Sequence, residues 1–509
     1  MNPLGRYLRL PTSSSSSNAA PDPEQLKREV DVEDDPAAVE LHPLSWKAEL
    51  SSSLDTPSLY ARLILLLAPL LPAHSPSFST LRRLLLLSGV LTLLLLSSVL
   101  YIHSSSLTRI TAAPCPNAFR LPGSVHVNGS YAPDNYWVPE ENASPDYPVH
   151  CPRDPPRLLE ALQAYESSAS SSDDETPELE HLRGRTVLLF GDSIDRLHLS
   201  HFCSFLGLDS RAIDASDALY PPELTELERQ LAQDRGRPFE SLRGRPFVCH
   251  APRSDLLLLW VFYSGSDDGQ STPSPPSLFY TPAPPFEPAP GPWGPRAFWP
   301  QASEHFNPPL LAEDRFHQLA LPLLQSLGRS HVDLVELGLG AWDLDLAKRL
   351  DHLSAVYVAE QRGQGEAEAL KLTEEVIVQP LSQAFLDWAR TRTEMLTRSV
   401  LHSLPQTTPV YLRPLGGTPQ YYHWPYLISS ARVEQMDALA RQVVEQHRLE
   451  RGTWMGRQRA RVRMDNSGVW TRGEEHWEDH IHPSILPGSW VWGEWLLYAL
   501  ARSAQRESQ

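Results

Sequence analysis

Cysteine is scarce in this chain: 509 residues hold four, and no two stand at C-x-x-C spacing. That spacing builds zinc ribbons and thioredoxin-like redox sites, so no metal ligand set is expected. Basic residues are short as well, 44 against 62 acidic, and a net charge of -18 argues against nucleic-acid binding through a general electrostatic patch. No Gly-rich nucleotide motif and no internal repeat appear. Proline is abundant by contrast, with 48 residues gathered in tails and insertions.

One long uncharged run is present. Residues 84–102 are mostly leucine, and as a helix they reach roughly 28 Å, close to the hydrocarbon thickness of a bilayer. An apolar surface all round favours a membrane span over a buried core helix. The run stands too far from the N-terminus for an ordinary cleaved signal peptide. Arg82 and Arg83 abut its N-terminal end, whereas the far side has only His103 and Arg109 nearby. The positive-inside rule then predicts a type II single-pass protein, with a cytosolic N-terminus and a lumenal C-terminal part. The apolar run at 63–71 is too short to span and is flanked by prolines.

All four cysteines, Cys115, Cys151, Cys203 and Cys249, follow the span. A lumenal setting permits disulfides, and four cysteines allow three pairings. The preferred one joins Cys115 to Cys151 and Cys203 to Cys249; four free buried thiols is the alternative. Asn128 and Asn142 begin glycosylation sequons on the same side.

Residues 1–81 read as a cytosolic tail, disordered where serine and acidic residues crowd, and 103–182 as a lumenal stem. A catalytic domain is expected over 183–502. Apolar strands are predicted at 187–190, 247–248, 256–262, 332–337 and 409–412, alternating with helices at 197–206, 316–327 and 432–447 and a helical stretch up to about 401. That alternation predicts an α/β fold with a parallel central sheet and helices on both faces. Residues 264–303 form a proline-rich insertion, either a substrate lid or an inert surface excursion.

The chemistry concentrates at two places. Val187-Leu-Leu-Phe190 runs into Gly191-Asp192-Ser193, and a helix follows. A nucleophilic serine needs this context: the C-terminal end of a buried strand, a tight turn, and helix amides facing developing negative charge. A plain helix-capping serine is the competing role. Far downstream, Glu478-Asp479-His480-Ile481-His482-Pro483 precedes Pro487-Gly488 and an aromatic, apolar helix. Serine, aspartate and histidine are the nucleophile, orienting acid and base of acyl transfer. His476, His480 and His482 all compete for the base role. The Ser193 amide is the natural first oxyanion donor.

Gly191-Asp192-Ser193 with Asp479-x-x-His482 resembles the SGNH/GDSL hydrolases, and within them the PC-esterase branch. That branch includes trichome-birefringence-like and Cas1-type polysaccharide O-acyltransferases and many fungal membrane proteins. The resemblance covers residues 183–502 and implies an SGNH-like three-layer sandwich. It also selects His482 as base with Asp479 orienting it. Such enzymes usually complete the oxyanion hole with a glycine amide and an asparagine side chain. Here the corresponding stretches, around Tyr263-Ser264-Gly265 and Gly338-Leu-Gly340-Ala-Trp342-Asp343, supply no asparagine. Gly265 and Gly340 are the substitute donors, and tight-turn geometry is their alternative role. Trp342 and Asp343 are candidates for the acceptor site, with core packing the alternative for the tryptophan, and Arg413 is either a contact for an acyl or sugar carboxylate or an exposed structural arginine.

The function implied is lumenal transfer of an O-acyl group, acetyl by preference, to a glycan or polysaccharide, in the Golgi or endoplasmic reticulum. No bound cofactor is expected. An acetyl donor such as acetyl-CoA, or an acetylated intermediate, is implied; with one span in this chain, either a membrane partner transports it or the donor is a soluble lumenal one. The alternatives are a carbohydrate or lipid ester hydrolase, and an inactive glycan-binding protein of the same fold.

Overall fold

The computed structural model describes residues 88, 89, 92, 119, 121, 123–128, 131–140, 151, 155–168, 177–234, 244–263, 265–266, 307, 309, 311–415, 430–450, 460–467 and 482–507. The chain divides into two units, Met1–Ile110 and Thr111–Gln509. In the first, Ser88, Gly89 and Thr92 are helical and exposed, and the Thr92 hydroxyl donates to the Ser88 carbonyl at 2.8 Å. Among the described residues no helix is long and apolar enough to cross a membrane. The remainder of the expected span at 84–102, and all of the tail before it, lie outside the described residues.

The second unit is built on a strand of unbroken burial. β3 (Thr186–Gly191) has every residue buried, as its uninterrupted apolar sequence requires of a strand covered on both faces. It lies at the centre of a seven-stranded sheet. The other strands are β4 (Arg211–Ala212), β5 (Phe247–Ala251), β6 (Leu256–Phe262), β7 (Leu334–Gly338), β8 (Val410–Arg413) and β9 (Val462–Met464). Their order is β4-β5-β6-β3-β7-β8-β9. The five strands from β6 to β9 pair in parallel, and β4 and β5 are added antiparallel at one edge. In chain order the parallel strands read 2-1-3-4-5, so the topology reverses between β3 and β7. Ligand crevices of open α/β sheets form at such a reversal, beyond the C-terminal strand ends.

Alternation along the strands sorts the core into two halves. Leu188 and Phe190 face a cluster with Phe316, Leu344, Phe385 and Val443. These come from α5 (Ala312–Asp314, a π-helical turn Arg315–Ala320 and Leu321–Ser326), α6 (Ala341–Gln361), α8 (Gln383–Ser403) and α9 (Ser430–Leu449). The remaining helices of the unit include α2 (Pro177–Glu180), α4 (Pro222–Asp234) and α7 (Glu366–Ile377), and α7 packs on α6 through Ala355, Leu372 and Val376. Val187 and Leu189 face the opposite way, toward α1 (Leu158–Ser167), α3 (Ser193–Phe205) and α10 (Trp490–Glu507). The result is an α/β fold of three layers with a mostly parallel central sheet. Each fully buried leucine in it contributes about 2 kcal/mol of transfer free energy.

The stretch 103–182, expected as a stem, contributes to this core. Its hairpin of β1 (Gly123–His126) and β2 (Tyr136–Pro139) buries Trp137, and α1 buries Leu158, Leu159 and Leu162 against α10. Cys203 of α3 and Cys249 of β5 form a disulfide with Cα atoms 5.8 Å apart, as preferred from the sequence. Cys151 is also disulfide-bonded, but Cys115 lies outside the described residues. The insertion at 264–303 is likewise outside them except for Gly265 and Ser266.

Candidate active site

The turn after β3 is made by its own side chains. Asp192 is the extended N-cap residue of α3 and accepts the Ile194 N–H at 2.7 Å. Three residues on, Asp195 returns a carboxylate oxygen to the Asp192 N–H at 2.9 Å. This reciprocal capping box fixes the chain's entry into the helix. Two further bonds hold the turn from the neighbouring strand: Trp260 donates its indole N–H to the Asp192 carbonyl at 3.0 Å, and the Tyr263 amide donates to the Gly191 carbonyl at 2.8 Å. Ser193 is therefore presented as the first residue of α3, half-buried, at the C-terminal end of the sheet. Its amide is among the first four of a helix that find no acceptor within it.

His482 meets it there. Its Nε2 lies 2.7 Å from the Ser193 hydroxyl oxygen, across 289 residues of sequence. Buried Pro483 and the turn at Ile485–Ser489 follow it directly, and that turn leads into α10. A side chain on Gly488 would press on the Pro483 ring at 3.0 Å, so glycine lets this segment close. The expected orienting residue Asp479, and the competing His476 and His480, lie outside the described residues.

Register carries the other two loops to the same edge. Gly191 is opposite Phe262 and Phe190 is opposite Leu337. Gly265 and Gly340 thus leave the sheet on either side of the Ser193 turn, with positive φ of 93° and 103° that glycine alone adopts freely. Asp343 is buried and accepts the Ser266 amide at 2.6 Å and its hydroxyl at 3.2 Å. It ties the loop after β6 to the start of α6. Trp342 is half-buried, edge-on to Phe262 with ring centres 5.6 Å apart.

Arg413 was expected at a substrate carboxylate. Instead it is buried, and its guanidinium is occupied by Asp195, Nε to Oδ1 at 2.6 Å and Nη2 to Oδ2 at 2.8 Å. Asp192 and Glu336 approach the same guanidinium at 3.6 and 3.4 Å. Burial opposes the arginine charge, but Asp195, Asp192 and Glu336 more than compensate and hold its proton more firmly than usual.

Three acids around this guanidinium are shifted upward. Burial raises the Asp192 carboxyl against the pull of Arg413. Burial, with Asp465 and Asp195 nearby, pushes Glu336 well above the carboxylate range, and the Trp492 indole N–H donates to it at 3.2 Å. Burial brings Asp465 up to about 7 although it accepts from Ser467. On α3, His198 stacks on Trp492 with ring centres 4.6 Å apart, and burial holds its pKa well below the usual histidine value. Sequence reasoning missed the roles of Asp195, Glu336 and Asp465. Glu336 did carry a signal, a charged residue inside a strand buried on both faces, which needs a partner.

Elsewhere, the Asn128 side-chain amide donates to Asp134 at 2.9 Å, and Asn142 lies outside the described residues. Among the described residues no cluster of metal-ligating side chains is found. Compared with protein-family models and with curated proteins, the chain matches none.

Proposed function

We propose that this chain is a serine-dependent O-acyltransferase whose acceptor is a glycan or polysaccharide hydroxyl. The observation that carries the reading is the 2.7 Å contact between His482 Nε2 and the Ser193 hydroxyl, at the mouth of the parallel sheet. In this reading Ser193 Oγ attacks the donor's acyl carbonyl while His482 Nε2 takes its proton. The bond from acyl carbon to donor oxygen or sulfur breaks, and the leaving group takes that proton. An acceptor hydroxyl then attacks the acyl-enzyme, passes its proton to His482, and leaves as the new ester while Ser193 regains a proton. The Ser193 amide, with Gly265 and Gly340 on either side, is the oxyanion contact, and Asp479 orients His482. The SGNH-like character of the domain, the membrane anchor at 84–102, the lumenal orientation in the Golgi or endoplasmic reticulum and an acetyl donor supplied from outside the chain belong to the same proposal.

The test is acetyl transfer from an activated ester to an oligosaccharide, with the Ser193→Ala chain as control. Serine-dependent appearance of acetyl on the sugar supports the transferase. Serine-dependent release to water alone, unchanged by sugar, assigns an ester hydrolase, and equal silence of both chains returns the glycan-binding alternative.

A further inference from the structure

The Asp195 carboxylate has three donors and one position. Arg413 grips both oxygens from β8, and Oδ2 also receives the Asp192 N–H at the turn before Ser193. The space it fills is vacated by two glycines on adjacent strands. A Cβ on Gly191 or on Gly338 would overlap Asp195, and one on Gly338 would also stand 2.6 Å from Arg413 Nη2. The carboxylate thus sits between the ends of β3 and β7, beneath the switch point. Stability alone is a poor reason for such a pair, because a buried ion pair seldom outperforms apolar residues of similar volume.

We infer that Asp195 and Arg413 are positioning residues for acyl transfer, a buried clamp that fixes the turn presenting Ser193 to His482. The inference rests on the serine-acyltransferase reading above. The clamp ties the nucleophile's turn on β3 to β8, two strands away, through two charge-assisted hydrogen bonds in a bidentate arrangement. Neither residue touches substrate; both act through the Asp192 amide. A displacement of about 1 Å at a reacting atom costs on the order of 100-fold in rate.

The experiment follows phosphonylation of Ser193 by a fluorophosphonate, in which an O–P bond forms and fluoride leaves, in the full-length chain. Three variants are compared with the parent: Asp195→Asn, Arg413→Lys, and the paired change Asp195→Ala with Arg413→Met. The paired change removes both charges of the clamp; Asp192 and Glu336 lose the guanidinium with it and can take up protons, and the denaturation midpoint establishes that the variant is folded. Asparagine has one acceptor oxygen and cannot serve all three donors. The clamp predicts that the maximal rate of inactivation falls about 100-fold in the Asn and paired variants, with the probe's binding constant unchanged. Arg413→Lys, which keeps the charge but not the fork, falls between them and the parent. A folded paired variant that reacts within about threefold of the parent overturns the clamp. A parent chain that never reacts at Ser193 overturns the acyltransferase reading instead, so the two failures are distinct.

Discussion

Asp195 occupies the volume that a side chain on Gly338 would need. The glycine is at the last position of β7 and the aspartate is in the first turn of α3. The close approach is what lets a carboxylate sit inside the sheet's edge, and it makes a single methyl group disruptive. Gly338→Ala is expected to lower stability by about 1–3 kcal/mol, the usual cost of overpacking a closed site. Its effect on Ser193 reactivity should be larger than that stability loss implies. Denaturant titration and fluorophosphonate labelling of the same preparation measure both. Wild-type stability and labelling in this variant would show that the contact yields easily.

His482 is placed to act as the base. His482→Ala is expected to slow acylation of Ser193 by about 1,000-fold or more. Its half-buried position predicts a change in stability of no more than about 1 kcal/mol. His476→Ala and His480→Ala should change the acylation rate less than tenfold, since His482 already holds the serine hydroxyl. A stopped-flow assay with an activated ester separates the three.

Glu494, on α10, is buried and accepts the Leu159 amide at the start of α1 at 3.1 Å. Burial outweighs the amides and carries its carboxyl from the ordinary glutamate value of 4.5 to about 7. Its folded pKa is raised, so the folded chain binds more protons than the unfolded one between those values. Its contribution is then fully present below about 4.5 and fades as pH rises to about 7, by on the order of 3 kcal/mol. Glu494→Gln should flatten that part of the stability–pH curve. Denaturation midpoints at a series of pH values check this, and parallel curves for the two chains would contradict it.

The Cys203–Cys249 disulfide closes a loop with a sequence separation of 46. A loop of that length corresponds to about 4 kcal/mol of unfolded-chain entropy in the loop-closure model. Replacing both cysteines by serine should cost up to that amount. The bridge fastens α3 behind the nucleophile, so labelling of Ser193 should persist wherever the reduced chain remains folded. Urea unfolding of the parent and the double-serine chain, both without reductant, provides the comparison.

Much of the fold was legible because its strands announce themselves. β6 was expected at 256–262 and is found at Leu256–Phe262, and β3, β7 and β8 fall within two residues of expectation at each end. Each is an apolar run of strand length bounded by turn residues, the pattern that burial on both faces imposes. β9 was not foreseen, since Val462–Met464 holds three residues and an arginine whose charge sits over Tyr411. The core role of α1 was hidden by the polar, proline-rich sequence around it. Leu158, Leu159 and Leu162 are buried in a cluster to which α10, more than 300 residues later, contributes.

At the site, Ser193 stood out by its local context, whereas His482 was singled out from His476 and His480 only by the family resemblance. Arg413 was visible as a residue at a strand end, but its partner was not. The contact with Asp195 spans 218 residues and depends on two glycines having no side chain. Asp343 was expected near an acceptor; the structure shows its bond to Ser266, a tertiary contact that sequence spacing does not encode.

The most direct test of the central claim is the intact mass of the full-length chain after a brief exposure to an activated acetyl ester, followed by peptide mapping. Nucleophilic catalysis at Ser193 predicts a gain of one acetyl group on the peptide containing it. The gain should be absent from Ser193→Ala and far slower in His482→Ala. An acetyl group that forms equally in the Ser193→Ala chain, or that maps only to other residues, would contradict the account.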